Sequence, residues 1–175
     1  MATFAVGTGD YIRPWRNTRL KKYPVAVSQT VLLGSVLKQA GAGLENRLIL
    51  STDTTETGIV GVAVEAITTT GTHNPATDHV LVALATEDAE FIGRTVADDA
   101  VDFTDLGVGV ELEIDATNGI TRVETDGVTD EQVKVLEYLH PVTMNPLTTE
   151  GDINAACVFK FIPGATIWGT GIVLA

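Results

Sequence analysis

One stretch of the sequence identifies the fold class: Val108-Gly109-Val110-Glu111-Leu112-Glu113-Ile114, followed by Asp115-Ala116-Thr117-Asn118-Gly119-Ile120-Thr121. Apolar residues alternate there with glycine and glutamate, which is the period of a strand with one buried face. We therefore expect the valine, leucine and isoleucine side chains to face the core, and Glu111 and Glu113 to face solvent or a neighbouring chain. The Asn-Gly pair favours a tight primed turn, so the stretch is predicted to form a hairpin.

The rest of the chain repeats this pattern in short β-rich segments separated by Gly, Thr, Asp and Asn. The predicted strands are residues 25–27, 31–37, 47–51, 59–67, 79–86, 90–96, 109–114, 121–124, 133–138, 156–162 and 167–174. This number and spacing of strands predicts an all-β fold, either a β-barrel or a β-sandwich. A length of 175 residues suits one domain with an appendage.

Charge divides the chain into two parts. Residues 1–24 carry five cations and one acid, whereas residues 25–175 carry six cations and 22 acids. The first part has no evident core of its own, and we interpret it as an extended basic N-terminal arm that reaches for a partner. Charge alone equally favours an arm that folds back onto the acidic body. The predicted organisation is an arm at 1–24 and a body at 25–175, with 126–175 as a candidate small subdomain.

The predicted partner-binding residues are the cationic and aromatic residues of this arm: Tyr11, Arg13, Trp15, Arg16, Arg19, Lys21, Lys22 and Tyr23. Nucleic acid is not an expected partner, because a net charge of −12 repels a polyanion. No membrane is expected either, because no apolar run approaches the roughly 18–20 residues that span a bilayer. No secretory signal is evident, and the single Cys157 is predicted to be a small buried apolar side chain.

Sequence motifs for catalysis are absent, so the chain is predicted not to be an enzyme and to need no cofactor or metal. None of the three serines lies in a Gly-x-Ser-x-Gly elbow, and His73, His79 and His140 lack the spacing of a zinc site. The acidic clusters leave two alternatives open, a carboxylate-based hydrolase and a calcium site. A solvated acidic surface is the favoured interpretation of these residues, which are Glu87, Asp88, Glu90, Asp98, Asp99 and Asp102.

Three valine- and glycine-rich segments, residues 31–38, 58–64 and 107–112, resemble the capsid decoration (cement) proteins of tailed-phage heads. The similarity covers residues 25–125. It implies a β-barrel or β-tulip protein, made in the host cytoplasm, that binds the outer face of an icosahedral capsid. Such a virion protein stabilises the capsid by bridging neighbouring major capsid subunits, and it forms a homo-oligomer, with a trimer favoured. The alternative is a carbohydrate-binding or fibre-like adhesin module that uses the polar loop 68–78.

Overall fold

A computed structural model describes residues 11–41, 46–52, 57–96, 100–114, 120–125, 131–152 and 155–167. Within these ranges the chain forms β-strands and one 3-10 turn at Phe103–Asp105, which confirms the all-β class. The strands are β1 (Arg13–Arg16), β2 (Leu20–Pro24), β3 (Thr30–Val31), β4 (Val36–Gln39), β5 (Leu48–Leu50), β6 (Ile59–Ala63), β7 (Ile67–Thr68), β8 (His79–Leu84), β9 (Glu90–Arg94), β10 (Gly109–Ile114), β11 (Thr121–Glu124), β12 (Val133–Leu139) and β13 (Ala156–Phe161).

The strands form two large antiparallel sheets. The six-stranded sheet has the order β1-β9-β13-β12-β10-β11, the five-stranded sheet has the order β2-β8-β6-β4-β5, and β3 pairs with β7. Each large sheet curls until two of its strands meet in an isolated parallel bridge, Val25 with Leu48 in one and Thr95 with Val123 in the other. The two sheets are therefore strongly curved, and these single bridges join the end of β2 to β5 and the end of β9 to β11.

The two sheets share one core. Its centre is a cluster of three phenylalanine rings, in which Phe91 lies 6.1 Å from Phe159 and 5.3 Å from Phe161. Val62 and Ala83 of the five-stranded sheet pack into the same cluster. A second cluster covers the opposite face of the five-stranded sheet, so all five residues of β6 are buried. Burial on both faces explains why this sheet reads as nearly continuous apolar runs.

Residues 11–24 differ from the expected separate arm. β1 pairs with β9 and β2 pairs with β8, so this segment supplies an edge strand to each large sheet. Ile12 and Tyr23 are buried, with 1% and 6% of their surface exposed. The physical reason is that β8 and β9 offer unpaired backbone groups, which an extended segment satisfies while it buries its apolar residues. Residues 1–10 lie outside the described part of the chain.

Residues 126–175 also belong to the main body in their described part. β12 and β13 are the two central strands of the six-stranded sheet, and both contribute to the shared core. A separate subdomain in this segment is therefore not what the pairing shows. The segment 126–130 and residues 168–175, which include most of the predicted last strand, lie outside the described residues.

The hairpin predicted from residues 108–121 forms with the expected partners, because β10 and β11 are antiparallel with Ile114 opposite Thr121. Its turn, residues 115–119, is not among those described. The expected exposure of Glu111 is wrong, since only 9% of its surface is accessible. Arg122, which is 4% exposed, lies directly opposite Glu113 on the same face. A cation on the neighbouring strand permits glutamate at half-buried and buried positions of β10.

Candidate functional site

The surface around the turn from β1 to β2 carries most of the exposed cations of the N-terminal segment. We call this surface the basic corner and define it by Trp15, Arg16, Arg19, Leu20, Lys21 and Lys22, all of which are exposed. The chain leaves the six-stranded sheet after β1 and enters the five-stranded sheet at β2. Asn17 makes this transition with a φ of 55°, a conformation that asparagine adopts more readily than most residues.

The basic corner runs beside the acidic turn that joins β8 to β9. Arg16 lies opposite Glu90, and their side chains form an ion pair with 3.4 Å between Nη1 and Oε2. The Arg16 side chain is 58% exposed, so water screens this pair and its contribution to stability is small, about 0–1 kcal/mol. This ion pair neutralises one of the four cationic side chains that define the basic corner, so the defined set keeps a net positive charge.

Apolar surface accompanies these charges. Trp15 is 37% exposed and Leu20 is 56% exposed. The Arg16 guanidinium lies 5.8 Å from the centre of the Trp15 ring, a cation–π distance that orients both side chains. Exposed apolar and cationic side chains together are typical of surfaces that bind protein, because aromatic residues and arginine are enriched in interface cores.

The eight residues predicted from the sequence separate into three groups in the structure. Trp15, Arg16, Arg19, Lys21 and Lys22 are exposed and belong to the basic corner. Tyr23 is buried in the second apolar cluster, with the Lys21 ammonium 4.9 Å from its ring centre. Tyr11 packs against Gly34, and Arg13 faces a cleft on the outer face of the six-stranded sheet. The sequence prediction missed Leu20, whose only signal was an apolar residue between cations.

Two reactive side chains lie inside the shared core. Cys157 has no exposed surface, as predicted, and burial raises the pKa of its thiol. The Tyr138 hydroxyl is directed towards Asp105, at 3.5 Å from Oδ2, and burial raises the pKa of this phenol as well. A thiol and a phenol with raised pKa stay protonated at neutral pH, so these two groups act as packing residues.

The carboxylates of the acidic clusters have identifiable contacts. Asp102 accepts the backbone N–H of Thr104 at 2.8 Å and caps the 3-10 turn, and this bond is the main reason its pKa is lowered. Asp88 accepts a hydrogen bond from the Thr86 hydroxyl, and Glu90 pairs with Arg16. Asp98 and Asp99 are outside the described residues. Among the residues that are described, no three His, Cys, Asp or Glu side chains are placed to hold a metal ion.

The polar loop after β7 is organised by one buried carboxylate. Asp78 accepts the backbone N–H of Asn74 at 2.7 Å and the Thr77 hydroxyl at 3.1 Å, and His73 lies 3.6 Å away. These contacts, the Asn74 N–H first, hold the pKa of Asp78 below its ordinary value. The Asp78 carboxylate is thus bound by residues of its own loop, and no observation on the described residues favours a sugar site there.

A comparison with protein-family models finds no match to this chain, and neither does a comparison with curated proteins. Across the described ranges there is also no helix with the length and apolar character needed to cross a membrane.

Proposed function

We propose that this chain is a non-enzymatic virion protein that binds the outer face of an icosahedral phage capsid and bridges neighbouring major capsid subunits. The observation that carries the binding role is the basic corner, a segment in which Arg19, Lys21 and Lys22 are exposed together with Trp15 and Leu20. The identity of the partner as a capsid, and the homotrimer, rest on the resemblance of residues 25–125 to capsid decoration proteins.

Strand pairing gives the basic corner an advantage over a free arm. Ordering a flexible segment costs on the order of 1–2 kcal/mol per residue. Lys21 and Lys22 are held opposite Val82 and Leu81 before any partner arrives, so binding does not have to order their backbone. A pre-ordered surface of this kind presents a fixed pattern of charge and apolar area to an acidic protein.

Deleting residues 1–24 is not a clean test of this proposal. The deletion removes Ile12 and Tyr23 from the core and uncovers the edges of β8 and β9. A truncated chain that fails to bind has two explanations, the loss of a contact and the loss of the fold. Charge reversal at exposed positions avoids this ambiguity.

The test is cosedimentation with expanded phage heads that lack this protein, using wild type and the double variant Lys21→Glu, Lys22→Glu. The matched control is Lys134→Glu, Lys160→Glu, which reverses two half-buried lysines that face each other on the six-stranded sheet. Each double variant takes the net charge from −12 to −16, two units for each lysine. We expect saturable pelleting of wild type and the control, and weak pelleting of the corner variant.

Two results would contradict the proposal in different ways. Equal pelleting of both double variants would exclude the basic corner as the contact. Absence of wild-type pelleting from all heads tested would remove the capsid function. Binding through exposed cations must also weaken with salt, because screening lengths shorten to about 3 Å at 1 M.

A further inference from the structure

A small cleft lies on the outer face of the six-stranded sheet, away from the shared core. It has a volume of about 200 Å³. Its floor and walls come from β1, β9, β13 and the turn after β12, through Arg13, Ile92, Arg94, Ala156, Val142 and Met144. Pockets for drug-sized ligands are larger, roughly 300–1,000 Å³, so this cleft has the size for one inserted side chain.

Strand register places both arginines on this face. Arg13 lies opposite Ile92, and Arg94 follows Ile92 by two residues on β9. Residues related in this way are diagonal neighbours on one face, with typical separations of about 7–8 Å. Gly93, which lies between Ile92 and Arg94 on β9, faces the shared core. A Cβ added there would lie 3.1 Å from the Ile12 side chain and 3.3 Å from the Phe159 ring. The core therefore fixes which way the two arginines project.

The turn after β12 forms a fixed wall of the cleft. His140 Nδ1 accepts the backbone N–H groups of Val142 and Thr143, both at 3.2 Å. The Met144 N–H donates to the His140 carbonyl at 2.9 Å. Arg94 donates from Nη2 to the Pro141 carbonyl at 3.3 Å and is only 9% exposed. The wall and the guanidinium of Arg94 therefore hold each other in position.

The described lining of the cleft carries cationic side chains, although the chain as a whole is strongly negative. Its described lining contains two guanidinium groups and no carboxylate, although the chain has a net charge of −12. Glu90, the acid nearest along β9, forms the ion pair with Arg16. The floor is aliphatic, since Ile92 and Ala156 belong to the outer apolar cluster that Met144 packs against. Guanidinium groups above an aliphatic floor suit a carboxylate carried on a short hydrocarbon stem.

We infer that this cleft binds the carboxylate side chain of an acidic peptide segment on the protein partner. The inference rests on the proposed function for the existence of such a partner and adds a second contact, on the six-stranded sheet. The aliphatic stem of a glutamate lies on Ile92 and Ala156, and its carboxylate accepts hydrogen bonds from Arg13 and Arg94. The cleft then fixes the position of the partner's acidic segment on the six-stranded sheet, while the cations of the basic corner attract the partner's acidic surface.

The test uses the isolated full chain and the peptide acetyl-Ala-Glu-Leu-amide, with the Gln peptide as the neutral probe. Arginine Nε–Hε resonances report binding by NMR. We expect the Glu peptide to shift the Arg13 and Arg94 signals saturably and the Gln peptide to leave them unchanged. Arg13→Ala should weaken binding about tenfold or more, because a hydrogen bond to a charged group is worth roughly 1.5–3 kcal/mol.

A pair of variants at Val142 tests the cleft at a position remote from the core. Val142 is 82% exposed at the rim, so Val142→Asp adds a repelling charge without changing the core. We expect it to weaken the Glu peptide about two- to fivefold, and the neutral control Val142→Asn to match wild type. Equal affinity of both variants would overturn the inference. Displacement of the peptide by equimolar inorganic phosphate would overturn the assignment to an acidic peptide in favour of a general oxyanion site.

The outcomes of the peptide experiment and the capsid experiment distinguish a failure of the cleft proposal from a failure of the capsid proposal. Peptide binding without pelleting of wild type would leave the cleft assigned and remove the capsid as its partner. Pelleting of wild type, with no saturable peptide shift and no effect of Val142→Asp on pelleting, would leave the capsid function and reject the cleft.

Discussion

The two large sheets differ in how many of their faces are buried. In the five-stranded sheet, consecutive residues of β8 enter different apolar clusters, Val82 on one side and Ala83 on the other. In the six-stranded sheet, Phe159 of β13 enters the core while Lys160 is half-buried on the outer side. A sheet covered on both faces has no surface left for a partner. The predicted contacts accordingly lie on its edge strand and at one cleft on the outer face of the other sheet, which is buried only in part.

The largest expected effect comes from removing the shared centre of the two sheets. Phe159→Ala deletes a fully buried ring that contacts two others, and we expect it to lower the free energy of unfolding by about 3–5 kcal/mol. The control is the next residue, Lys160→Ala, for which the change should stay within about 0.5 kcal/mol. Urea unfolding curves with equal slopes measure both. Similar losses at both positions would show that the outer face is as tightly packed as the inner one.

The second expected effect tests how closely the five-stranded sheet packs against the other sheet. Ala83 has no exposed surface and lies opposite Val62, at the packing surface between the sheets. Ala83→Leu adds volume to a filled core and should destabilise the chain by about 1–3 kcal/mol. Ala66→Leu, at an exposed position beyond β6, is the matched control and should change the midpoint of unfolding little. A tolerated Ala83→Leu would indicate unfilled space between the sheets.

Much of the difference in burial between the two sheets was predictable from the sequence. Alternating or continuous apolar runs identified nearly all strands from β4 onward, because burial of one or two faces leaves its period in the sequence. β1 and β2 were not predicted, since Pro14 and Pro24 and four cations contradict an ordinary strand pattern. Proline is tolerated on an edge strand, where no neighbour needs its missing N–H. The two prolines that conflict with an ordinary strand pattern therefore agree with the edge positions of β1 and β2.

The candidate sites were less predictable, for reasons of register. The cations of the basic corner were predicted from composition, but the burial of Tyr23 and the outward position of Arg13 depend on which residues lie opposite them. Arg94 was not identified from the sequence, because its neighbours in the cleft come from three separate strands and a turn. Cross-strand neighbours 40 or more residues apart leave no local signal.

The third prediction concerns the attachment of β1 to the body. Gly34 has a φ of 83°, and a Cβ there would lie 2.6 Å from the Tyr11 Cβ and 2.8 Å from the Ile12 carbonyl oxygen. Gly34→Ala should cost about 1–2 kcal/mol from backbone strain alone, and the clash should loosen β1. Hydrogen exchange of the β1 amides measures the loosening. Gly71→Ala, at a loop position with open space, is the control and should leave β1 protected.

The smallest expected effect is a pH dependence in the loop between β7 and β8. The Asn74 N–H, with help from the Thr77 hydroxyl, holds the pKa of Asp78 below its ordinary value of 3.8. The charged carboxylate therefore stabilises the fold at pH values above 3.8, and this contribution disappears as the pH falls through the lower folded value. Asp78→Asn should thus be less stable than wild type at neutral pH and converge with it in acid. Thermal unfolding between pH 2 and pH 7, with Ala76→Ser as the loop control, measures the gap. A gap that stays constant across this range would show that the amide replaces the carboxylate fully, and that charge has no part in organising the loop.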